Sequence, residues 1–115
     1  MRKSSIYLDT TVPSAYFDDR VIDRQQYTKE FWSDILPKFK AYISDIVLIE
    51  IQDTPDIQRR LILEESIKSF EVLELEKEAI DLAIDYIKQG IFSAKSIYDA
   101  CHVAIAVING IRISS

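Results

Sequence analysis

The stretch IYLDTTVPSAYFDD, residues Ile6–Asp19, decides how the chain is read. Ile6, Tyr7 and Leu8 close a short apolar run of strand type, SIYL. Asp9 stops that run, two threonines follow, and Pro13 suits the first turn of a helix over Thr11 to Phe17. Asp9 then has two readings. It caps the helix, as aspartate commonly does, or it stands at a sheet edge to hold something. Thr10 and Thr11 are competing caps.

Outward from there, strands and helices alternate. RQQYTKEFWSDILPKF (24–39) places Tyr27, Phe31, Trp32, Ile35, Leu36 and Phe39 at spacings of three and four, which predicts an amphipathic helix bent or ended by Pro37. KAYIS (40–44) predicts a second strand, and DIVLIEIQ (45–52) fits a helix or an extended segment equally. TPDIQRRLILEESIK (54–68) enters a helix through Thr-Pro-Asp. FEVLEL (70–75) alternates apolar and acidic residues, the pattern of a half-exposed strand. EKEAIDLAIDYIKQG (76–90) is a helix with Ala79, Ile80, Ala83, Ile84 and Ile87 on one face, stopped by Gly90. SIYDACHVAIAVING (96–110) is a nearly all-apolar helix stopped by Gly110, and IRISS (111–115) begins a last strand. The order predicts an α/β sandwich with a parallel sheet and right-handed crossovers. Ligands of such sheets gather beyond the carboxyl ends of the strands, where Asp9 would lie.

The bulk numbers narrow the function. A chain of 115 residues with 48% hydrophobic content fits one domain with a real core. A formal net charge of −5 repels phosphate at long range and argues against a non-specific nucleic-acid coat protein. It does not exclude a nuclease, because bound divalent cations reverse the field locally. The single cysteine, Cys101, cannot form an internal disulfide or a cysteine-rich zinc site and reads as a small core residue in a reducing compartment. The opening MRKSSIYLDTT is too short for a signal-peptide core and no run approaches a membrane span, so a soluble cytoplasmic protein is expected.

Of 19 acidic residues, three are out of place. Glu64, Glu65, Glu74, Glu76, Glu78, Asp81 and Asp85 suit polar faces or helix starts. Asp9 instead follows Ile-Tyr-Leu, Glu50 interrupts IVLIEI, and Asp99 begins the most apolar helix. An isolated buried carboxylate costs several kcal/mol unless it is paired or bound to a cation. Three such acids without obvious cationic neighbours in sequence point to one shared Mg²⁺ or Mn²⁺, hard ions that take carboxylate oxygens. Such a cluster suits metal-assisted phosphodiester hydrolysis. Local roles compete with this. Ser96 and Asp99 have capping-box spacing, and Glu50 is also explained by a distant arginine in the core. His102 shares the helix face of Asp99. It is a metal ligand, a proton shuttle or simply a core histidine with one hydrogen bond. Thr10, Thr11 and Ser14 flank Asp9 as caps or as supports for a carboxylate. Lys95 and Arg20, near the third and first acids, are candidate guides for a phosphate backbone. There is no glycine-rich phosphate loop.

The three acids carry a resemblance. YLDTTVPSAYFD resembles the first strand and short helix of PIN-domain proteins, the group that includes the VapC toxins of toxin–antitoxin operons. YISDIVLIEIQ resembles the segment in which a serine starts the helix bearing the family's glutamate. AKSIYDACHVAIAVINGI resembles the third-acid helix, ending in Asn-Gly. The resemblance implies a three-layer α/β/α fold with a mostly parallel central sheet. It also implies a Mg²⁺- or Mn²⁺-dependent endoribonuclease with an RNA substrate, a cognate antitoxin and a homodimeric state. By position it makes Asp9, Glu50 and Asp99 the catalytic and metal-holding acids. Related chains continue past the Asn-Gly turn into a Thr-x-Asn or Thr-x-Asp segment and further structure, whereas NGIRISS stops. Residues 1–115 are therefore expected to form a single PIN-like domain lacking the family's C-terminal strand and helix. The alternative is a PIN-fold binding or dimerisation module with weakened or no catalysis.

Overall fold

Alternation along one strand sets the layering. In β1 (Ser4–Leu8), Ile6 and Leu8 enter one apolar cluster while Tyr7 enters the other. A computed structural model describes residues 3–114. β1 pairs in parallel with β2 (Phe39–Ser44) on one side and β4 (Arg112–Ser114) on the other, and β3 (Glu71–Leu73) pairs in parallel with β2. The order is β3-β2-β1-β4, with Ile6 opposite Ala41 and Arg112. Among the described residues six α-helices connect the strands: α1 (Thr11–Tyr16), α2 (Ile22–Glu30), α3 (Asp45–Gln52), α4 (Ile57–Ser66), α5 (Lys77–Lys88) and α6 (Ile97–Asn109).

The sheet is buried on both faces. Val12 of α1, Val47 and Ile51 of α3, and Leu63 of α4 pack with Ile6, Leu8 and Ile43. Across the sheet, Ala79 and Ala83 of α5 and Ala100, Cys101, Ala104, Ile105 and Ala106 of α6 pack with Tyr7 and Ile46. The result is the expected α/β/α sandwich around an all-parallel sheet. Cys101 is a buried core thiol, and burial pushes its pKa up.

Several local expectations are refined by packing. The helix expected over 24–39 is α2 only as far as Glu30; the chain then makes a π-turn at Phe31–Ile35 and a 3₁₀ turn at Leu36–Lys38. Pro37 cannot donate to a helical ladder, and β2 starts two residues later. The ambiguous DIVLIEIQ is helix α3, because the Ser44 hydroxyl oxygen accepts the Ile46 N–H at 3.2 Å. α4 is entered through Thr-Pro-Asp as expected, with Asp56 Oδ1 accepting the N–H groups of Gln58 and Arg59 at 3.0 and 3.3 Å. FEVLEL yields only the three-residue strand β3, at the edge of the sheet, where short strands are the rule. Gly110 ends α6 at φ 63°, which lets Ile111 N–H reach Ala106 O at 2.9 Å and turns the chain into β4.

Arg20 is committed elsewhere than to a phosphate. Its Nε donates to Asp18 Oδ1 at 2.9 Å, its Nη2 to Oδ2 at 3.1 Å, and its backbone N–H to Oδ1 at 3.1 Å. These bonds hold the Asp18 carboxyl down at about 2, below an ordinary aspartate at about 3.9. A group depressed in the folded state contributes stability above its unfolded pKa and loses it as pH falls through the folded one. Acid unfolding should therefore steepen between about pH 4 and pH 2. Asp18→Asn should flatten that segment in urea melts at a series of pH values; an unchanged profile would remove this assignment.

Candidate active site at the carboxyl edge of the sheet

Two of the three acids, Asp9 and Glu50, follow β1 and β2 in the chain and come together through Thr10. Asp9 directly follows β1, and its N–H donates to Ser114 O at 3.3 Å, tying it to β4. Its Oδ1 accepts the Thr11 N–H at 2.9 Å and also the Thr11 hydroxyl. Asp9 thus takes the local turn role at the entry to α1. Thr10 makes no side-chain cap there.

Thr10 reaches across instead. Its hydroxyl donates to Glu50 Oε1 at 2.8 Å. The same oxygen lies 2.5 Å from His102 Nε2. Glu50 therefore pairs with a histidine of α6, not with a core arginine. Burial alone would push its carboxyl up, but the hydrogen bonds from His102 and Thr10 outweigh that and hold it below its ordinary value.

His102 belongs to a buried chain that sequence reasoning missed. Its Nδ1 is 2.6 Å from the Tyr7 hydroxyl, which is 2.7 Å from Ser44 Oγ. Tyr7 and Ser44 are fully buried, and burial pushes the Tyr7 phenol well up, so it stays protonated. Among the described residues no buried side-chain polar atom lacks a partner. The signal was present in the sequence: a tyrosine in an otherwise aliphatic strand must find a partner for its hydroxyl once buried.

Asp99 sits in the first turn of α6, exposed, three residues before His102. The capping box does not form: Ser96 makes no side-chain cap and lies 3.4 Å from Ser93 Oγ. Lys95 is exposed in the 3₁₀ turn Ala94–Ser96 that precedes the helix. A cleft of about 340 Å³ against α1 is lined by Thr11, Val12, Ala15, Arg24 and Thr28. Ser14 turns its carbonyl to Arg59 Nη2 at 3.3 Å.

Among the described residues, no three Asp, Glu, His or Cys side chains converge closely enough to hold a metal ion. The donor set nonetheless has the chemistry of a hard-cation site. Asp9 and Glu50 each have one oxygen engaged by protein donors, and among the described residues the other oxygen of each has no partner. That division orients a carboxylate while leaving an oxygen for an outside ligand. Mg²⁺ is often held by only one or two carboxylates and retains waters, so three preassembled acids are not a requirement.

The chain belongs to the PIN domain family, whose profile matches residues 6–114. Among solved structures it resembles that of VapC20 from Mycobacterium tuberculosis, a sarcin–ricin-loop-cleaving toxin, at 18% identity and TM-score 0.72, covering 93% of this chain and 85% of that one. It also resembles FitAcB from Neisseria gonorrhoeae (16% identity, TM-score 0.67) and VapBC2 from Rickettsia felis bound to a promoter DNA fragment (14%, 0.63). Each of these two alignments covers 96% of this chain and 86% of the other. No curated protein matches the chain. No helix among the described residues is long and apolar enough to cross a membrane.

Proposed function

We propose that this protein is a divalent-metal-dependent endoribonuclease of the VapC kind, the toxin of a toxin–antitoxin pair. The observation that carries this reading is that Thr10, next to Asp9, binds Glu50 at the carboxyl edge of a PIN fold, with one oxygen of each acid left open. Asp9, Glu50 and Asp99 would hold Mg²⁺ or Mn²⁺. Bound there, the ion supplies an activated water and offsets charge on the phosphoryl oxygens. The chain's own residues do the rest. Thr11 fixes Asp9, and Thr10 with His102 fixes Glu50, so both carboxylates are oriented before substrate arrives. Arg24, which lines the cleft against α1 and whose guanidinium is 3.8 Å from Asp18, would meet the RNA backbone.

The reading includes a cognate antitoxin, in keeping with the fold likeness to VapBC2 and FitAcB, and a cytoplasmic homodimer. The test is cleavage of a structured RNA titrated with Mg²⁺ or Mn²⁺. Activity should vanish with a chelator and return with metal, and Glu50→Gln should weaken metal binding by about 10–100-fold. Metal-independent cleavage, or wild-type metal affinity in Glu50→Gln, would refute it. If no cleavage and no metal binding are found, a non-catalytic module that binds an antitoxin-like partner takes its place.

A further inference from the structure

The groups behind Glu50 form a continuous line that begins and ends on the same helix. Ser44 Oγ accepts the Ile46 N–H at the start of α3, and Glu50 stands one turn further along α3. Between them run Ser44 to Tyr7 (2.7 Å), Tyr7 to His102 Nδ1 (2.6 Å) and His102 Nε2 to Glu50 Oε1 (2.5 Å). The line crosses β1, the β2–α3 junction and α6. Its three inner members are buried, so water does not substitute for any of them.

Proton counting gives the line a direction. An ionised Glu50 only accepts, so Nε2 carries a hydrogen and donates to it. The buried Ser44 oxygen receives the Ile46 N–H, and among the described residues its hydroxyl has only the Tyr7 oxygen to donate to, so the Tyr7 hydroxyl in turn donates to a bare Nδ1. Every donor and acceptor is used with a neutral imidazole.

We propose that Tyr7 is a positioning residue: its hydroxyl fixes His102 as the Nε2–H tautomer, and that ring fixes the Glu50 carboxylate with Oε1 engaged and Oε2 open. The cation-holding purpose of this arrangement rests on the nuclease reading above; the tautomer assignment does not. Tyr7 touches neither RNA nor ion and acts through His102.

His102 is the only histidine in the chain, so its ring nitrogens are assignable without ambiguity in ¹⁵N-labelled protein free of any tag. The metal-free protein should show one bare Nδ1 and one protonated Nε2 whose proton exchanges slowly and resonates downfield of the amides. Tyr7→Phe keeps the buried ring and should therefore fold; it should broaden or abolish the slow Nε2–H signal. It should also weaken Mn²⁺ binding, read by calorimetry, by about tenfold. Thr10→Val, which removes a donor to Oε1 without touching the ring, should leave the His102 signature in place. A doubly protonated ring in the wild type would overturn the assignment. So would an unchanged Nε2–H signal in Tyr7→Phe, or a lost signal with Mn²⁺ affinity intact. A wild-type protein that binds no Mn²⁺ yet shows the Tyr7-dependent signature would sink the nuclease reading and leave the tautomer control standing.

Discussion

Asp9→Asn and Asp99→Asn are each expected to lower metal-dependent RNA cleavage at least a hundredfold in kcat/KM, about 2.7 kcal/mol of transition-state stabilisation. The two substitutions separate charge from structure. Asparagine at position 9 keeps the Oδ1 that receives the Thr11 N–H, so the entry to α1 survives. What is lost is the negative charge on the neighbouring oxygen, which among the described residues has no protein partner and contributes nothing to folding contacts. Asp99 is exposed and caps nothing with its side chain. Its only structural contribution is favourable charge near the N-terminus of α6, roughly 0.3–1 kcal/mol. Both variants should therefore melt close to the wild type while losing cleavage. The exposed Asp81→Asn serves as the charge-matched control and should cleave normally. Wild-type rates in Asp9→Asn or Asp99→Asn would remove the proposed site.

The contrast between those acids and their supports follows what a linear chain reveals. The α/β alternation was legible because each element carries its own period: Ala79, Ala83 and Ile87 for a helix, Ile6, Tyr7 and Leu8 for a buried strand. The acids were legible because a carboxylate inside an apolar run is a local anomaly. The partners of those acids were not. Thr10 looked like a helix cap because threonine often is one, yet its hydroxyl crosses to α3 once β1 and β2 lie side by side. His102 gave no sign of choosing Glu50 over Asp99, its near neighbour on the same helix, because that choice depends on how α6 sits against α3. Boundaries failed for a related reason. Pro37 announced an interruption, but the π-turn before it reflects Phe31, Trp32 and Leu36 all packing against the first cluster, a tertiary demand. Helix or strand for DIVLIEIQ was undecidable by period, since apolar residues occupy nearly every position; Ser44 decides it by capping.

Leu8→Ala is expected to produce the largest loss of stability, about 2–5 kcal/mol. At about 4 °C per kcal/mol for a domain of this size, the melting temperature should fall by roughly 8–20 °C. Leu8 is fully buried at the end of the central strand, among Ile6, Val12, Leu36, Ile43, Val47, Ile51, Leu63 and Ile67. Neighbours from β1, β2, α1, α3 and α4 surround it, so the void left by truncation cannot collapse from one side. Total stabilities of such domains are only about 5–15 kcal/mol, which makes this one side chain a large fraction. Leu8→Met conserves volume and should cost less than about 1.5 kcal/mol. The two faces of β1 make the prediction sharper. Leu8 points into the first cluster and Tyr7 into the second, so the cavity opens on the side of the sheet away from His102. At a temperature where Leu8→Ala is still folded, its His102 Nε2–H signal and its Mn²⁺ affinity should match the wild type. Urea melts, with the ring signal followed in parallel, check both halves; a Leu8→Ala protein that keeps wild-type stability would show that β1 is not the centre of the first core, and one that loses the ring signal while folded would show that the two faces are not independent.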